Sequence, residues 1–283
     1  MSGIKEIKNR IGSVAFTKQI TKAMKMVSAS KLRRSQNLAS PVHFYHEKLK
    51  GILGNIYSDI YHSVFDMYVK DRGSDNVLLV VLTSDRGLCG SFNSVVLRRA
   101  MKYINESSFK SIKILPIGKK GFKFFKKRKF DIIDEYSNLL NKLNFINSKN
   151  VSEHIVSEFK NSNYDKIEIV YNKYINNMSQ KITLKQFLPV NDYSLVENKV
   201  DYIYEPSSSH IGLNLISDYL DIDFYSMTLS SVVSEHASRM ISMGKATDNA
   251  TELLKDLKLV YNRTRQASIT KEMLEIVNGA EAC

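Results

Sequence analysis

The chain has 283 residues, of which 43% are hydrophobic and 25% are charged. This composition allows a buried core and excludes a chain that is disordered throughout. The net charge is +12, and residues 1–34 contribute +8 of it, from nine Lys or Arg and one Glu. A basic segment of this kind is typical of a solvated helix face, of a nucleic-acid-binding arm or of a surface that meets an acidic protein.

The first predicted element is a long N-terminal helix at residues 1–60. Its first 40 residues contain no proline, and its apolar residues recur at three- and four-residue steps, as on one face of a helix. The residues of this predicted inner face are Ile4, Ile7, Ile11, Val14, Ile20, Met24 and Val27. The last three continue the stripe with a slight shift of phase.

The middle of the chain, residues 75–205, is predicted to be a Rossmann-like α/β domain. It begins with "NVLLVVLTSD" (76–85), a continuous apolar run that is typical of a strand buried on both faces. Helices and strands then alternate, which is the pattern of an α/β fold. The further predicted elements are helices at 94–104, 119–128 and 148–161, and strands at 111–118, 130–136, 165–175 and 180–190.

The last predicted element is a C-terminal helix at residues 207–283. Its inner positions recur every 3.5 residues on average, which is the period of a coiled-coil seam. These positions are Val233, Ala237, Met240, Gly244, Thr247, Ala250, Leu254, Leu257, Tyr261, Thr264 and Ser268. A helix over 210–280 would be roughly 105 Å long, so we expect it to project from a compact domain. Because pairing covers both apolar stripes, we predict that the two terminal helices form an antiparallel coiled coil.

Several positions of this seam hold small or polar residues where coiled coils usually have Leu, Ile or Val. Examples are Ala237, Gly244, Thr247, Ala250 and Thr264. Small residues let helix axes approach closely, but they give up about 0.8 kcal/mol of burial for each missing CH₂ group. The pattern is consistent with a locally thin coiled coil, and also with a rod that turns inside a socket.

Two segments have the composition of binding motifs. The turn "SDRGLCGSFN" (84–93) lies between a strand and a helix, where α/β proteins bind phosphate, but its G-x-x-G spacing matches neither established phosphate-binding motif. We therefore interpret its glycines as required by a tight turn. The basic segment "KKGFKFFKKR" (119–128) has the composition of an RNA-binding or membrane-surface helix. We favour a helix with Phe122 and Phe125 on the sheet and its lysines in water.

The sequence contains no recognisable catalytic constellation. His43 and His46 are three residues apart, but no third metal ligand is predicted nearby. We interpret Asp221 and Asp223 as solvated residues of a short acidic turn. The two cysteines of the chain suggest no disulfide framework and indicate a reducing compartment. We therefore expect no cofactor and no metal, and a mechanical or scaffolding role.

Three parts of the chain, in this order, carry specific motifs. They are "ITKAMKMVSASKLRR" (20–34), "SDRGLCGSFN" (84–93), and "SEHASRMISMGKATDNA" (234–250) with "LVYNRTRQASITKEMLEIVNGAEA" (259–282). Together they closely resemble the γ subunit family of F-type ATP synthases. The resemblance covers nearly the whole chain, and the C-terminal motif is highly specific. Ser91 departs from the family pattern, which usually has a second glycine after Gly90.

The resemblance implies a rotor subunit that has no catalytic residues of its own. In this family the terminal helices form an antiparallel coiled coil inside a hexamer of α and β subunits, and the α/β domain contacts the ε subunit and the c-ring. Proton flow turns the ring and γ together, and this drives the β-subunit sites through the states that make and release ATP. The residues implied to contact the hexamer are Met24, Lys25, Glu235, Arg239, Gln266, Ile269, Thr270, Met273, Ile276 and Val277.

The resemblance also implies a peripheral membrane protein at the cytoplasmic face of the bacterial inner membrane. In keeping with this, the N-terminal "MSGIKEIKNRIGS" lacks the apolar core of a signal peptide. No stretch of the sequence approaches the ~20 apolar residues of a membrane span.

The basic N-terminal helix leaves one alternative open, a coiled-coil nucleic-acid-binding protein. Such a protein would bind duplex DNA with a steep dependence on salt. An enzyme built on the turn at 84–93 is disfavoured, because the sequence offers it no base, no nucleophile and no lysine to hold a phosphate.

Overall fold

The computed structural model describes residues 2–59, 66–73, 75–107, 109–191, 202–205 and 208–281. The helices are α1 (Ser2–Asp59), α2 (Asp66–Val69), α3 (Phe92–Glu106), α4 (Lys119–Lys127), α5 (Phe145–Lys160) and α6 (Ser208–Glu281), with a 3₁₀ helix at Leu140–Lys142. The strands are β1 (Asn76–Leu82), β2 (Ser111–Ile117), β3 (Lys166–Tyr174) and β4 (Gln180–Leu188). None of the helices, within these residues, combines the length and the apolar character that a bilayer crossing requires.

The chain divides into two compact units. One unit is Ser30–Ser238, which we call the sheet unit, and the other is Met1–Ala29 with Arg239–Cys283, which we call the shaft unit. The helices α1 and α6 each contribute residues to both units. The functional division predicted from the sequence, at 1–60, 75–205 and 207–283, stays a prediction.

A four-stranded mixed sheet organises the sheet unit. Its strand order is β2-β1-β3-β4, with β1 parallel to both β2 and β3, and β4 antiparallel to β3. Strand β1 is central, and every residue after its first is buried. A strand covered on both faces needs apolar side chains at successive positions, which explains its continuous apolar sequence. The predicted α/β fold with long terminal helices is confirmed.

Successive residues of β1 face two different cores. Leu78, Val80 and Leu82 belong to the larger core, which also contains residues of α5 and of the sheet-unit parts of α1 and α6. Leu79 and Val81 belong to the smaller core, which contains residues of α3 and α4. This division follows from strand geometry, because alternate side chains of a strand point to opposite faces of the sheet.

The strand predicted at 130–136 is wrong as a regular element. The segment, all of which is described, makes two isolated parallel bridges, Ile114 with Ile132 and Ile117 with Tyr136. Three of its seven residues are acidic, and acidic side chains are poorly suited to strands. The segment therefore follows the edge strand β2 and touches it at two points without forming a ladder.

The two helical segments of the shaft unit pack in antiparallel directions. The Thr247 hydroxyl donates to the Thr21 hydroxyl at 2.9 Å. One turn further along, the Lys25 side chain lies across Gly244, with its Cε and Nζ 3.7 Å from the point where a Cβ on that glycine would stand. Residue numbers therefore rise along one helix as they fall along the other, which confirms the predicted antiparallel pair.

The seam predicted for α6 from its 3.5-residue period is confirmed in the shaft unit. Six of the predicted positions are buried or half-buried, and every residue between them is exposed. These positions are Ala250, Leu254, Leu257, Tyr261, Thr264 and Ser268.

The inner face predicted for the start of α1 is correct for its first half and for Met24, which is half-buried, but not for Ile20 and Val27. Ile4, Ile7, Ile11 and Val14 are all half-buried. Further along, however, Ile20 is 44% exposed and Val27 is 56% exposed, whereas Thr21 and Ser28 are buried. A seam keeps its seven-residue repeat, and this repeat leads from residues 7 and 14 to residues 21 and 28. The phase shift that the apolar residues suggested is therefore wrong, and polar residues occupy the inner positions.

Candidate interaction surface

Within the part of the chain that the structure describes, the end of α6 has no partner helix beside it. The antiparallel contacts pair residue 21 with 247 and residue 25 with 244. The residue numbers of each facing pair therefore add up to 268 or 269. Ser2, at the start of α1, therefore lies opposite a residue near 266. The half-buried seam positions end at Ser268, and residues 269–278 are all exposed. We call residues 269–278 the shaft tip.

The shaft tip is apolar on much of its surface. Ile269, Met273 and Ile276 are 46%, 63% and 71% exposed, and Leu274 and Val277 are exposed as well. Gln266 and Thr270 are also exposed, and the Thr270 hydroxyl donates to the Gln266 carbonyl oxygen at 3.0 Å. The structure therefore brings five of the sequence-predicted contact residues together on one unpaired stretch of helix. An apolar surface of this kind is typical of a protein-binding site.

A second exposed apolar surface lies on the outer side of α1 in the shaft unit. It consists of Phe16, Ile20 and Val27, which we call the outer face. Successive residues of an α-helix are about 100° apart around its axis, so these three side chains lie within about 40° of one another. This face was not predicted, because the apolar pattern assigns Ile20 and Val27 to the seam and leaves Phe16 out. Continuing the seven-residue repeat from Ile7 and Val14 would have found it.

Two more predicted contact residues, Met24 and Lys25, lie on the same part of α1 as the outer face, but Lys25 points about 140–180° away from it around the helix. Met24 is half-buried and Lys25 is exposed. The aliphatic part of Lys25 covers Gly244, and its Cδ lies 3.8 Å from the ideal Cβ position there. Burying the stem while the ammonium stays in water is the usual behaviour of a long basic side chain. Because Gly244 has no side chain, the lysine can cross it at close range.

Glu235 and Arg239, also predicted as contact residues, are different in kind. Glu235 is buried in the sheet unit, and Arg239 is buried in the shaft unit. Charged side chains are seldom buried without partners, and both of these have interactions within the chain. Only their edges are accessible to another protein in this conformation. Their role in a partner contact stays a prediction.

The turn at 84–93 is held by its own side chains. Asn93 accepts a hydrogen bond from the Ser84 amide at 2.9 Å and donates to the Ser84 hydroxyl at 2.7 Å. Gly90 has a positive φ of 60°, a conformation that favours glycine. The Ser238 hydroxyl donates to the Cys89 carbonyl oxygen at 2.7 Å and so ties the turn to α6. These contacts support the interpretation of a tight structural turn.

The basic helix α4 uses a different pair of aromatic residues from the one predicted. Phe125 is fully buried in the smaller core, as predicted, and Phe124 packs against that core. Phe122 is instead half-buried, with the Lys126 ammonium 5.1 Å from its ring centroid. The prediction for Phe122 is therefore wrong as to the sheet contact.

The prediction that Asp221 and Asp223 are solvated is wrong. Both lie in α6, and both are buried in the sheet unit. A lysine compensates each carboxylate: Lys149 Nζ lies 3.3 Å from Asp221, and Lys185 Nζ lies 2.7 Å and 2.8 Å from the two Asp223 oxygens. The two residues point about 200° apart around α6, Asp221 toward α5 and Asp223 toward β4 and α1, and charges buried in this way require partners.

The two carboxyl groups respond to burial in opposite directions. Burial raises the pKa of Asp221, because the contacts with Ser152 and with the half-buried Lys149 do not outweigh the loss of water. Burial alone would also raise the pKa of Asp223, but the contact with His46 and the charge of Lys185 together lower it below its ordinary value. Asp223 is therefore held as a carboxylate inside the protein.

The statement that His43 and His46 lack a third metal ligand nearby is also wrong. Their potential ligand atoms and that of Glu47 all lie within 4.8 Å of one another. Glu47 follows His46 in the sequence, and it lies four residues after His43, which is one turn of the same helix.

The chain is similar over its whole length to ATP synthase γ chains. The family model described as ATP synthase matches residues 3–283. ATP synthase gamma chains from Cytophaga hutchinsonii and Amoebophilus asiaticus are 45% and 43% identical to it. Each of these alignments covers 100% of this chain and 99% of the relative. The gamma chain of Fusobacterium nucleatum is 38% identical, with both chains covered completely.

Solved structures share the fold. A chain of the Euglena gracilis mitochondrial ATP synthase, in its OSCP/F1/c-ring assembly, aligns with a TM-score of 0.71 and 21% identity over 99% of this chain and 94% of its own length. A chain of the Tetrahymena thermophila mitochondrial ATP synthase central stalk and c-ring aligns with a TM-score of 0.63 and 24% identity over 80% of this chain and 99% of its own length. Together with the family match over residues 3–283 and the full-length relatives, this establishes that the chain belongs to the ATP synthase γ-chain family.

Proposed function

We propose that this chain is the central-stalk rotor subunit of an F-type ATP synthase. In this role it has no catalytic site of its own and transmits rotation between the proton-conducting membrane sector and the ATP-forming sites on the β subunits. The observation that carries the proposal is the unpaired apolar shaft tip, which extends past the start of α1 on an antiparallel two-helix shaft. Family membership supports the same role, and nothing in the comparisons favours the nucleic-acid-binding alternative.

The shaft has the surface expected of an axle inside a ring of subunits. Its inner positions include Thr21, Ser28 and Thr247, while Ile20 and Val27 lie outside. Apolar side chains exposed to water on the shaft would be covered by the surrounding hexamer, which stabilises the assembly by burial. Lys25 and the other basic residues of the first 34 would face acidic surfaces of the hexamer.

The proposed contacts with the hexamer fall in two groups. One group is Gln266 with the tip residues Ile269, Thr270, Met273, Ile276 and Val277. The other is Met24, Lys25 and Arg239 of the shaft unit and Glu235 of the sheet unit. The sheet unit would contact the ε subunit and the c-ring. The assembly would then hold the chain as a peripheral protein at the cytoplasmic face of a bacterial inner membrane.

The test of this proposal is the composition of the complex that the chain forms. The chain, carrying a removable tag, is purified from gently solubilised membranes, and the native mass and subunit content are measured. We expect a large assembly with three copies of each of two nucleotide-binding chains per copy of this chain. Recovery of the chain alone, or with nucleic acid that salt removes, would refute the rotor role.

A substitution tests the coupling function separately from assembly. Met24→Lys adds a cation beside Lys25, and we expect it to reduce ATP-driven proton pumping per ATP hydrolysed while leaving the fold intact, since Met24 is only half-buried. Met26→Lys is the matched control, because it makes the same chemical change at an exposed position about 200° further around the helix. Equal pumping by the Met24→Lys complex and the parent would contradict the proposed contact.

A further inference from the structure

We propose that His43, His46 and Glu47 form a binding site for a divalent transition-metal ion of the Zn²⁺ type, with Asp223 as a positioning residue. All four residues belong to the sheet unit. The site is independent of the rotor role, because it uses none of the residues proposed to contact the hexamer.

The three ligands are presented by one turn of α1. Their spacing, i, i+3 and i+4, brings the side chains together on the helix surface, and their ligand atoms lie within 4.8 Å of one another. With Zn–ligand distances of about 2.0–2.1 Å, two ligands of a tetrahedral ion are separated by about 3.3 Å. Nδ1 of His46 is already 3.3 Å from Oε1 of Glu47. His43 and Glu47 are exposed, so rotation of these side chains can close the remaining separation.

His46 is held in place by two residues of α6, Tyr219 and Asp223. It is buried, and its ring stacks on Tyr219 with centroids 5.5 Å apart and an interplanar angle of 24°. Its Nε2 lies 2.9 Å from Oδ1 of the buried Asp223, although the described residues give this nitrogen no aligned hydrogen bond. A carboxylate on the second nitrogen of an imidazole ligand fixes its tautomer and orientation, and this arrangement is the usual support of a metal-binding histidine. Here it leaves Nδ1 on the side of Glu47 and of the proposed metal.

The charge of Asp223 is already balanced without the metal. Lys185 Nζ contacts both of its oxygens, at 2.7 Å and 2.8 Å. The carboxylate therefore acts as a support for His46 and is not needed as a metal ligand. Of the three ligands only Glu47 carries a formal charge, so a divalent cation bound there would be accompanied by one anionic and two neutral ligands.

The site opens into a cavity of about 640 Å³, which the three ligands and Asp223 help to line. Three protein ligands leave one tetrahedral position open, as in zinc sites that hold an exchangeable ligand. Lys50, Lys173 and Lys185 also line the cavity, so this open position would favour hydroxide or a carboxylate over a neutral group. Two imidazoles and one carboxylate suit Zn²⁺ better than Mg²⁺ or Ca²⁺, which prefer oxygen ligands throughout.

The test is titration of the untagged full-length chain with Zn²⁺ by calorimetry. A Cys283→Ser background removes the terminal thiol, which lies outside the described residues. We expect one saturable equivalent of Zn²⁺. Replacing Zn²⁺ by Co²⁺ should give the visible absorption of a tetrahedral site.

Variants separate a built site from incidental binding. We expect His43→Ala and Glu47→Gln each to weaken Zn²⁺ binding at least tenfold, and Asp223→Asn to weaken it about 10–100-fold through His46. His210→Ala is the matched control at an exposed histidine of the same unit, and we expect it to bind Zn²⁺ like the parent. Circular dichroism checks the folding of each variant; His43→Ala changes an exposed side chain, so it keeps the test valid if Asp223→Asn fails to fold. Absence of a saturable equivalent, or equal affinity in His43→Ala, Glu47→Gln and the parent, would overturn the proposal.

Discussion

Removing the Lys185 ammonium should strongly destabilise the sheet unit. Lys185→Met keeps most of the aliphatic length of the side chain but removes the cation that contacts both oxygens of the buried Asp223. Breaking a buried ion pair by removal of one partner typically costs about 3–5 kcal/mol, because the remaining charge stays buried without compensation. His46 stays 2.9 Å from the same carboxylate in the variant, so Asp223 keeps one of its two polar contacts. We therefore expect a loss near the lower limit, about 3 kcal/mol.

The matched control is the exposed pair of Lys271 with Glu275 in the shaft unit. Its N–O distance is 3.8 Å, and its side chains are 78% and 65% exposed. Pairs of this kind contribute about 0.3–0.5 kcal/mol at most, so Lys271→Met should leave the stability almost unchanged. A second control is the double variant Lys185→Met with Asp223→Leu, which removes both charges. It should recover most of the loss, because an apolar replacement of a whole buried ion pair is often neutral or stabilising.

The free energies of unfolding are measured by urea titration, followed by circular dichroism. Because the chain has two compact units that can unfold separately, hydrogen exchange of the β4 amides assigns the change to the sheet unit. A loss below 1 kcal/mol in Lys185→Met, or a double variant no more stable than the single one, would refute the argument that Asp223 depends on this cation.

Two further predictions concern the sheet unit. Gly118 has a φ of 102°, and a Cβ there would lie 1.9 Å from the Thr83 carbonyl oxygen. We therefore expect Gly118→Ala to lower the free energy of unfolding by at least about 2 kcal/mol. An unchanged midpoint of urea unfolding would contradict this. The raised pKa of Asp221 means that the folded state holds its proton more tightly than the unfolded state, so its contribution to stability is present at low pH and is lost as pH rises above the ordinary value of 3.8. Asp221→Asn should therefore be more stable than the parent at pH 7, and the difference in free energy of unfolding should narrow toward pH 4. A difference that does not change with pH in paired urea titrations would contradict this prediction.

Sequence periodicity determined the repeating parts of the fold. The 3.5-residue period of α6 placed Ala250, Leu257 and Thr264 on the inner side of the shaft, because a helix that pairs along its length must repeat its contacts in step with its turns. The apolar run of β1 likewise indicated a strand covered on both faces. The family motifs then identified the γ-chain family, which the full-length comparisons establish.

The predicted inner residues of α1 were wrong where the polarity of a residue and its position in the seven-residue repeat disagreed. Ile20 and Val27 look like inner residues, and Thr21 and Ser28 look like outer ones, but the seven-residue repeat reverses these assignments. The repeat prevails because two rigid helices cannot change phase locally without breaking their packing. The outer face of the shaft therefore became visible only when the register of the two helices was known.

The charged interior was decided by the tertiary structure alone. Asp223 meets Lys185 from a strand and His46 from α1, three residues that are far apart in the sequence. No local pattern shows that a carboxylate in an acidic stretch will be buried, because its cost depends on partners brought by other elements. Periodicity along one helix is a property of the sequence, whereas compensation of a buried charge, and with it the support for the proposed metal site, is a property of the folded chain.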